Sequence, residues 1–202
     1  MKKDLFSKKA NIYEKDDKRV SNVDNIANAI SNNVELDKNM SLMDFGSGTG
    51  LLLERIAPYV RKITGIDISS SMNSELIKKK ESLPCELDVL EIDMELESLK
   101  ENFDGIISSM TMHHIKDIDS LFVKFYSNIR AGGFLAISDL DLEDGSFHTE
   151  DTGVHHFGFD REAIAEAAKK AKFQNVKVID ASIVEKPHGK YPVFLLTATK
   201  NV

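Results

Sequence analysis

The stretch that decides the fold is Leu42-Met43-Asp44-Phe45-Gly46-Ser47-Gly48-Thr49-Gly50, followed by Leu51-Leu52-Leu53. A short apolar run, Leu42–Phe45, reads as a buried strand. Three glycines at alternate positions then make a sharp turn, where a ligand can approach the backbone closely. Thr49 to Ala57 follows with helical spacing and stops at Pro58. The glycine spacing is Gly-x-Gly-x-Gly. The dinucleotide fingerprint needs a third glycine where this chain has Leu51, and no lysine follows as a phosphate-binding loop requires.

Working outward, apolar runs and helical patterns take turns. Strands are expected at Lys62–Ile68, Cys85–Ile92, Phe103–Ser109 and Phe134–Ser138. Helices are expected from Ser70 to Ser82, from Ile118 to Ile129 (closed by Gly132-Gly133) and over Arg161–Lys172. Val176–Val184 and Pro192–Thr199 form a final strand pair around the turn Lys186-Pro187-His188-Gly189. This alternation predicts an α/β fold: a Rossmann-like, doubly wound seven-stranded sheet, mostly parallel, with an antiparallel C-terminal pair. Upstream, residues 1–20 are dense in charge, and Val23, Ile26, Ala27, Ile30 and Val34 recur at helical spacing behind Ser21 as N-cap. The expected organisation is an N-terminal arm and helix over residues 1–40, acting as a lid, and a ligand-binding domain over 41–202.

Ligands of such sheets bind beyond the carboxyl ends of the strands. Asp67, about twenty residues past the glycine loop, ends the second strand and can hold both hydroxyls of a ribose. Asp93 ends the third. Its carboxylate can accept from an adenine amino group, and the next backbone amide, that of Met94, can donate to the ring. The fourth strand runs into Ser109-Met110-Thr111-Met112-His113-His114.

These ordered features resemble the class I S-adenosylmethionine-dependent methyltransferases, most closely the small type 11/12-like enzymes that act on small molecules. The resemblance runs from about Leu42 to Val202 and is most specific over residues 42–139. It implies that Gly46, Ser47, Gly48 and Gly50 line the methionine and ribose part of S-adenosylmethionine. It implies that Asp44 orients the loop or meets the cofactor's ammonium, that Asp67 with Ile68 holds the ribose, and that Asp93 and Met94 meet the adenine. Ser109 and Met110 would lie near the sulfonium, and Tyr13 would close over the cofactor. Structural roles compete with these: Asp67 and Asp93 also suit turn caps, Asp44 the fixing of the glycine turn, Tyr13 an amphipathic anchor, and Met110 core packing.

The chain has 202 residues, with 33 acids against 26 bases and a net charge of −7. The segment from Asp139 to Asp160 contains seven acids, three histidines (His148, His155, His156) and no lysine or arginine; elsewhere acids and bases balance. This segment follows the fifth strand, on the ligand side. It reads either as a solvated acidic loop or as part of an acceptor site favouring a cationic small molecule. His155 and His156 are its candidate catalytic residues. Of the adjacent pair His113 and His114, one packs and one faces water, or one serves as general base toward the acceptor. His148, His155 and His156 could also gather a divalent metal with Asp or Glu, but no metal site is expected, since His155 and His156 are adjacent and point apart and the single Cys85 excludes a cysteine cluster.

The acidity argues against nucleic acid as a partner. No run approaches the roughly 18 apolar residues of a membrane span, and no apolar segment follows the charged N-terminus as in a signal peptide. A cytoplasmic monomer or homodimer is expected. The functional reading is methyl transfer to a small-molecule acceptor. Its alternatives are a non-catalytic cofactor-binding protein of the same fold, a nicotinamide oxidoreductase and a macromolecular methyltransferase. The last is disfavoured by Ser108-Ser109-Met110-Thr111 where an Asn/Asp-Pro-Pro-Tyr type motif would stand.

Overall fold

A computed structural model of the chain describes residues 4–150 and 152–201. Helix α1 spans Asp17–Asn33. Strand β1, Ser41–Phe45, is buried throughout and leads through the glycine loop into α2, Leu51–Ile56. Then come β2 (Lys62–Asp67), α3 (Ser70–Lys78) and β3 (Glu86–Glu91). The second half holds β4 (Phe103–Ser109), α4 (Ile118–Asn128), β5 (Ile129–Leu140), α5 (Arg161–Lys170), β6 (Gln174–Lys186) and β7 (Gly189–Thr199).

The seven strands lie in the order β3-β2-β1-β4-β5-β7-β6. The pairings β3–β2, β2–β1, β1–β4 and β4–β5 are parallel. Strand β7 inserts between β5 and β6, antiparallel to both. The expected sheet is therefore present. Strand order reverses between β1 and β4, which puts the crevice of a doubly wound sheet over the glycine loop.

One face of the sheet packs Ile26, Ile30, Leu53 and Ile56 from α1 and α2 against Leu42, Ile63 and Leu195. The other packs Phe122, Phe125 and Ala168 from α4 and α5 against Met43, Ile106 and Phe194. Both sets are almost fully buried, so the strand ends that carry polar residues are held by rigid layers on either side.

The N-terminus departs from the expected boundaries. Helix α1 starts at Asp17 and its cap is Asp16, whose carboxylate accepts from the amides of Lys18 and Arg19. Ser21 lies inside the helix. An acid at the cap with a second in the first turn suits the positive helix end better than a serine one turn later. Ahead of it, Ala10–Lys15 forms a 3-10 turn. The apolar face of α1, Val23, Ile26, Ala27 and Ile30, packs into the main core. The glycine pair also departs: α4 stops at Asn128 and Gly132-Gly133 lie within β5. Their backbone pairs with Lys200, through Gly132 N to Lys200 O and Lys200 N to Gly133 O, both 2.9 Å.

Candidate active site

After β1 the chain turns back over the end of β2. The amides of Gly46 and Ser47 both donate to the carbonyl of Ile66, at 2.8 and 3.1 Å. Gly46, Gly48 and Gly50 all have positive φ, at 69°, 53° and 91°, a region that favours glycine. A methyl at Gly46 would strike the Thr111 side chain at 2.2 Å, and one at Gly50 would strike Leu76 at 2.6 Å. At Gly48 it would meet nothing within 4 Å. Gly46 and Gly50 are therefore needed for packing, whereas Gly48 opens the backbone to a ligand.

Asp67 faces this opening. Its Oδ2 accepts from Gly48 N at 2.9 Å and its Oδ1 from Ser69 N at 2.8 Å. Burial raises its pKa, opposed by these two amides and reinforced by nearby Asp4. Asp44, 1% exposed, sits at the end of β1. Its Oδ2 is buried and has no hydrogen-bond partner. Burial, then the charge of Asp67, pushes its pKa to about 8. Ser47 Oγ, Thr49 Oγ1 and Ser109 Oγ are likewise buried without partners. The buried Asp44, the partly buried Asp67 within reach of its field, and a set of unpaired hydroxyls form a group that a ligand with a cation and several hydroxyls would complete. The amino acid and ribose of S-adenosylmethionine carry those groups, so the residues present fit it. Ile68, beside Asp67, is 56% exposed and offers an apolar surface suited to a flat base.

The remaining candidates for the cofactor are placed as follows. Asp93 Oδ1 accepts from Glu95 N at 3.0 Å, and its carbonyl accepts from Leu96 and Glu97, so it shapes the turn after β3. The Met94 side chain is buried in the core on the α4 side. Met110 adopts φ 55°, a conformation that non-glycine residues hold mainly where surroundings enforce it; its amide donates to Ser138 O at 2.8 Å. Tyr13 lies on the 3-10 turn before α1, with the Arg19 guanidinium 4.0 Å from its ring centre. Burial raises the phenol pKa; Arg19 opposes this, and the charges of Asp67 and Asp16 add to it. Upstream, Asp4 accepts from Ser69 Oγ (2.9 Å), Ser71 N (3.1 Å) and Ser71 Oγ (2.7 Å) at the start of α3.

The histidines gather on the β4–β5 side. His113, 2% exposed, places Nδ1 2.6 Å from Asp139 Oδ1, while its own amide donates to Oδ2 at 3.1 Å. Burial acts to raise the Asp139 pKa, but the charge and hydrogen bonds of His113 and the Leu140 amide prevail and lower it. Asp139 is therefore ionised and acceptor-only, so Nδ1 of His113 carries the proton. His114 packs against His113 with ring centres 4.3 Å apart, and Phe6 of the arm meets it edge-on at 5.9 Å. Burial and the neighbouring His113 lower its pKa to about 4. His148 joins them, 5.0 Å from His113 and 6.1 Å from His114. Among the described residues no group of three or more His, Cys, Asp or Glu is arranged to hold a metal ion.

His155 and His156 take a different part. Their amides donate to the His113 carbonyl at 2.9 and 3.1 Å. The His156 ring lies with Nε2 2.9 Å from Ile115 O, and His155 is exposed. They tie the loop of residues 141–160 to the turn after β4. The acids of that loop also have local partners. Asp141 makes a two-point pair with Arg161 (2.7 and 2.8 Å). Glu143 accepts from Gly145 N and Phe147 N, and Asp144 accepts from Ser146 N. Glu150 meets Lys9 at 2.6 Å, and Asp160 caps α5. Asp151 lies outside the described residues. Sequence reasoning counted Asp139 only as one acid of a run, although its position at a strand end matched that of Asp67. It grouped His148 with His155 and His156 and did not bring it to His113, because nothing local reveals that the loop folds back onto β4.

The switch-point glycine loop, the acid ending β2 and the pendant C-terminal strand pair define a Rossmann-like methyltransferase. Comparison with known proteins agrees. A family model described as a methyltransferase domain matches residues 18–178, and the chain belongs to that family, the S-adenosylmethionine-dependent methyltransferases. An uncharacterised methyltransferase of Schizosaccharomyces pombe is 31% identical over 185 residues, covering 83% of this chain and 64% of that protein. A ubiquinone biosynthesis O-methyltransferase of Pelagibacter ubique is 31% identical over 107 residues, 52% of this chain and 43% of its own. The chain thus spans less than two thirds of these relatives. Among solved structures, phosphoethanolamine N-methyltransferase 2 of Haemonchus contortus, in complex with phosphomonomethylethanolamine and S-adenosylhomocysteine, superposes with a TM-score of 0.71. That match has 17% identity and covers 88% of this chain and 52% of that one, a likeness of fold. Among the described residues no helix is long and apolar enough to cross a membrane.

Proposed function

We propose that this chain binds S-adenosylmethionine in the crevice around Gly48 and transfers its methyl group to a small-molecule acceptor. The observation that carries this is Asp44 Oδ2, buried without a partner and within the field of Asp67, whose own carboxylate accepts from the amide of Gly48, the loop glycine with open space over it. Asp67 would hold the ribose hydroxyls and Asp44 the ammonium, with Ile68 under the adenine and Asp93 shaping the turn beside it. The bound sulfonium supplies an activated methyl carbon. The protein's remaining tasks are to hold an acceptor in line with it, exclude water and remove a proton where the acceptor has one.

His113 is the base for that proton. In its neutral form, with Nδ1–H committed to Asp139, the ring would carry its lone pair on Nε2, and the carboxylate would stabilise the imidazolium that forms. His114, with its pKa at about 4, is a poorer base near neutrality. The arm ahead of α1 is the lid. Asp4 bonds to the start of α3, Phe6 meets His114, and Lys9 pairs with Glu150, so the arm spans from the cofactor side to the acceptor side.

Small-molecule substrates of relatives such as the ubiquinone-pathway enzyme support an acceptor of that kind. A cationic acceptor has less support from the charge of this loop, since Asp141, Asp144, Glu150 and Asp160 are engaged locally. Calorimetry with S-adenosylmethionine, S-adenosylhomocysteine and NADH tests the cofactor. Binding of the first two but not of NADH is expected. NADH binding alone would return the chain to the oxidoreductases.

A further inference from the structure

The turn after β3, residues 93–97, lies in no strand or helix, yet it is tied down almost residue by residue. Asp93 closes it from within. Its Oδ1 accepts from Glu95 N at 3.0 Å, and its carbonyl accepts from Leu96 N and Glu97 N at 3.0 and 2.8 Å. Helix α4 closes it from outside. The ammonium of Lys124 donates to the carbonyls of Met94, Glu95 and Glu97, the last two at 3.1 Å each. An ammonium has three N–H donors, one for each of these carbonyls. On another side, Glu95 Oε1 accepts from Lys116 N at 3.0 Å, in the segment that follows His114.

Asn128, one turn further along α4, shows what a clamp of packing alone looks like. It is buried, and its Nδ2 donates to Leu99 O at 3.1 Å and Glu101 O at 2.7 Å, in the connection that leads away from the turn. Lys124 is only half-buried. Ordering a lysine side chain costs rotamer entropy, and here that cost goes into fixing the one turn of the connection that carries Asp93.

Rigidity matters there because the Asp93 carboxylate is the group expected to meet the base. A carboxylate accepts hydrogen bonds and does not donate them. Adenine offers it an amino group, which is a donor. A 6-oxopurine offers an oxygen, a second acceptor, and a fixed site then holds two acceptors against each other. In a loose turn the carboxylate could swing aside and let water bridge the gap, and the discrimination would be lost.

We propose that Lys124 is a positioning residue for the cofactor's base: by holding the carbonyls of Met94, Glu95 and Glu97 it keeps Asp93 aimed, so that the site selects adenine over a 6-oxopurine. Lys124 acts through the turn and not on the ligand. The inference rests on the cofactor reading above and sharpens it.

Calorimetry on the full chain tests it with S-adenosylhomocysteine and S-inosylhomocysteine, in which an oxygen replaces the 6-amino group. The wild-type chain should favour the first at least about tenfold. Lys124→Met keeps an apolar stem and loses all three donors. It should weaken S-adenosylhomocysteine at least about fivefold and S-inosylhomocysteine little, so that the ratio falls toward one. Lys124→Arg, which keeps donors, should recover part of the ratio. Asn128→Ala should lower thermal stability and leave the ratio within about twofold of wild type, a readout that lost packing does not move. If Lys124→Met does not fold, Lys124→Gln, with an amide that reaches fewer carbonyls, should still lower the ratio. A wild-type ratio in either folded variant overturns the role of Lys124, as does an equal weakening of both ligands. Equal affinity of the wild-type chain for the two ligands overturns base selection at this turn and leaves methyl transfer intact. Binding of neither ligand overturns the cofactor reading itself.

Discussion

Two carboxylates are buried at the carboxyl edge of this sheet, and they titrate in opposite directions. Asp44, ending β1, has a buried oxygen without a partner and a pKa pushed up to about 8. Asp139, ending β5, is fully buried yet held below its ordinary value. The difference is the company each keeps. Asp139 receives His113 Nδ1 at 2.6 Å, Leu140 N at 2.7 Å and His113 N at 3.1 Å. Asp44 has only Asp67, another acid, as its charged neighbour. Burial alone penalises a charge; what decides its state is whether the fold supplies the counter-group or leaves that to a ligand. The β5 edge, proposed above for the acceptor, carries its own counter-charge, and the β1 edge, proposed for the cofactor, has an unpaired buried oxygen that a ligand could complete.

The largest test of this contrast is pH. A carboxyl whose folded pKa is about 8 and whose ordinary value is 3.8 is protonated in the folded chain and ionised in the unfolded one across that window. Stability is fully retained below the ordinary value and is lost as pH rises toward 8, by up to about 1.4 kcal/mol per pH unit for one group. The raised pKa of Asp67 acts in the same direction. Thermal unfolding of the ligand-free chain should therefore weaken from pH 5 to pH 8, and Asp44→Asn should flatten that trend. Calorimetry at pH 7 in two buffers of different ionisation enthalpy should show proton release as the cofactor's ammonium arrives. No release would separate Asp44 from the cofactor.

Asp139 predicts the reverse. Its lowered pKa contributes stability above the ordinary carboxylate value, lost only as pH falls through the folded pKa. Asp139→Ala strips the partner from a buried His113 and should cost about 3–5 kcal/mol in denaturant unfolding. Asp139→Asn is the gentler probe: methyl transfer should fall by more than tenfold while S-adenosylhomocysteine affinity holds. Equal activity in a folded Asp139→Asn would remove His113 as the base. On the cofactor side, Asp67→Ala should weaken S-adenosylmethionine binding at least tenfold in a folded chain. Two hydrogen bonds to a charged oxygen are worth roughly 1.5–3 kcal/mol each, and unchanged affinity would refute that role.

The same contrast runs through what the sequence made legible. The cofactor side is built from contiguous signals. The glycine loop, Asp67 and the Phe103–Ser109 strand each read from a few neighbouring residues, and their order placed them at one edge. The acceptor side is assembled by tertiary folding. Asp139 and His113 are far apart in the chain, and His148 reaches them only because the His155 and His156 amides anchor the loop to the His113 carbonyl. The acidic run misled in the same way: composition sums its charge, whereas the structure spends it on Arg161, Lys9, helix α5 and loop amides. At the N-terminus the sequence pattern put the cap at Ser21, whereas the structure caps the helix with Asp16, whose carboxylate accepts from the amides of Lys18 and Arg19.

The smallest expected effect separates the histidines of that loop. His155 and His156 contribute through their backbone amides, which substitution leaves in place. The His155 side chain is exposed, so His155→Ala should leave kcat/KM within about twofold of wild type, in line with surface substitutions that cost under about 0.5 kcal/mol. The His156 ring meets Ile115 O at 2.9 Å and packs 5.1 Å from Phe159. Losing one such bond costs about 1 kcal/mol, seen as a modest fall in thermal stability. Any loss of activity in His156→Ala should track that fall and be shared between cofactor and acceptor. Should His155→Ala abolish turnover in a folded chain while Asp139→Asn does not, the acceptor lies on the outer side of the loop, and the buried imidazole cluster around Asp139 is structural.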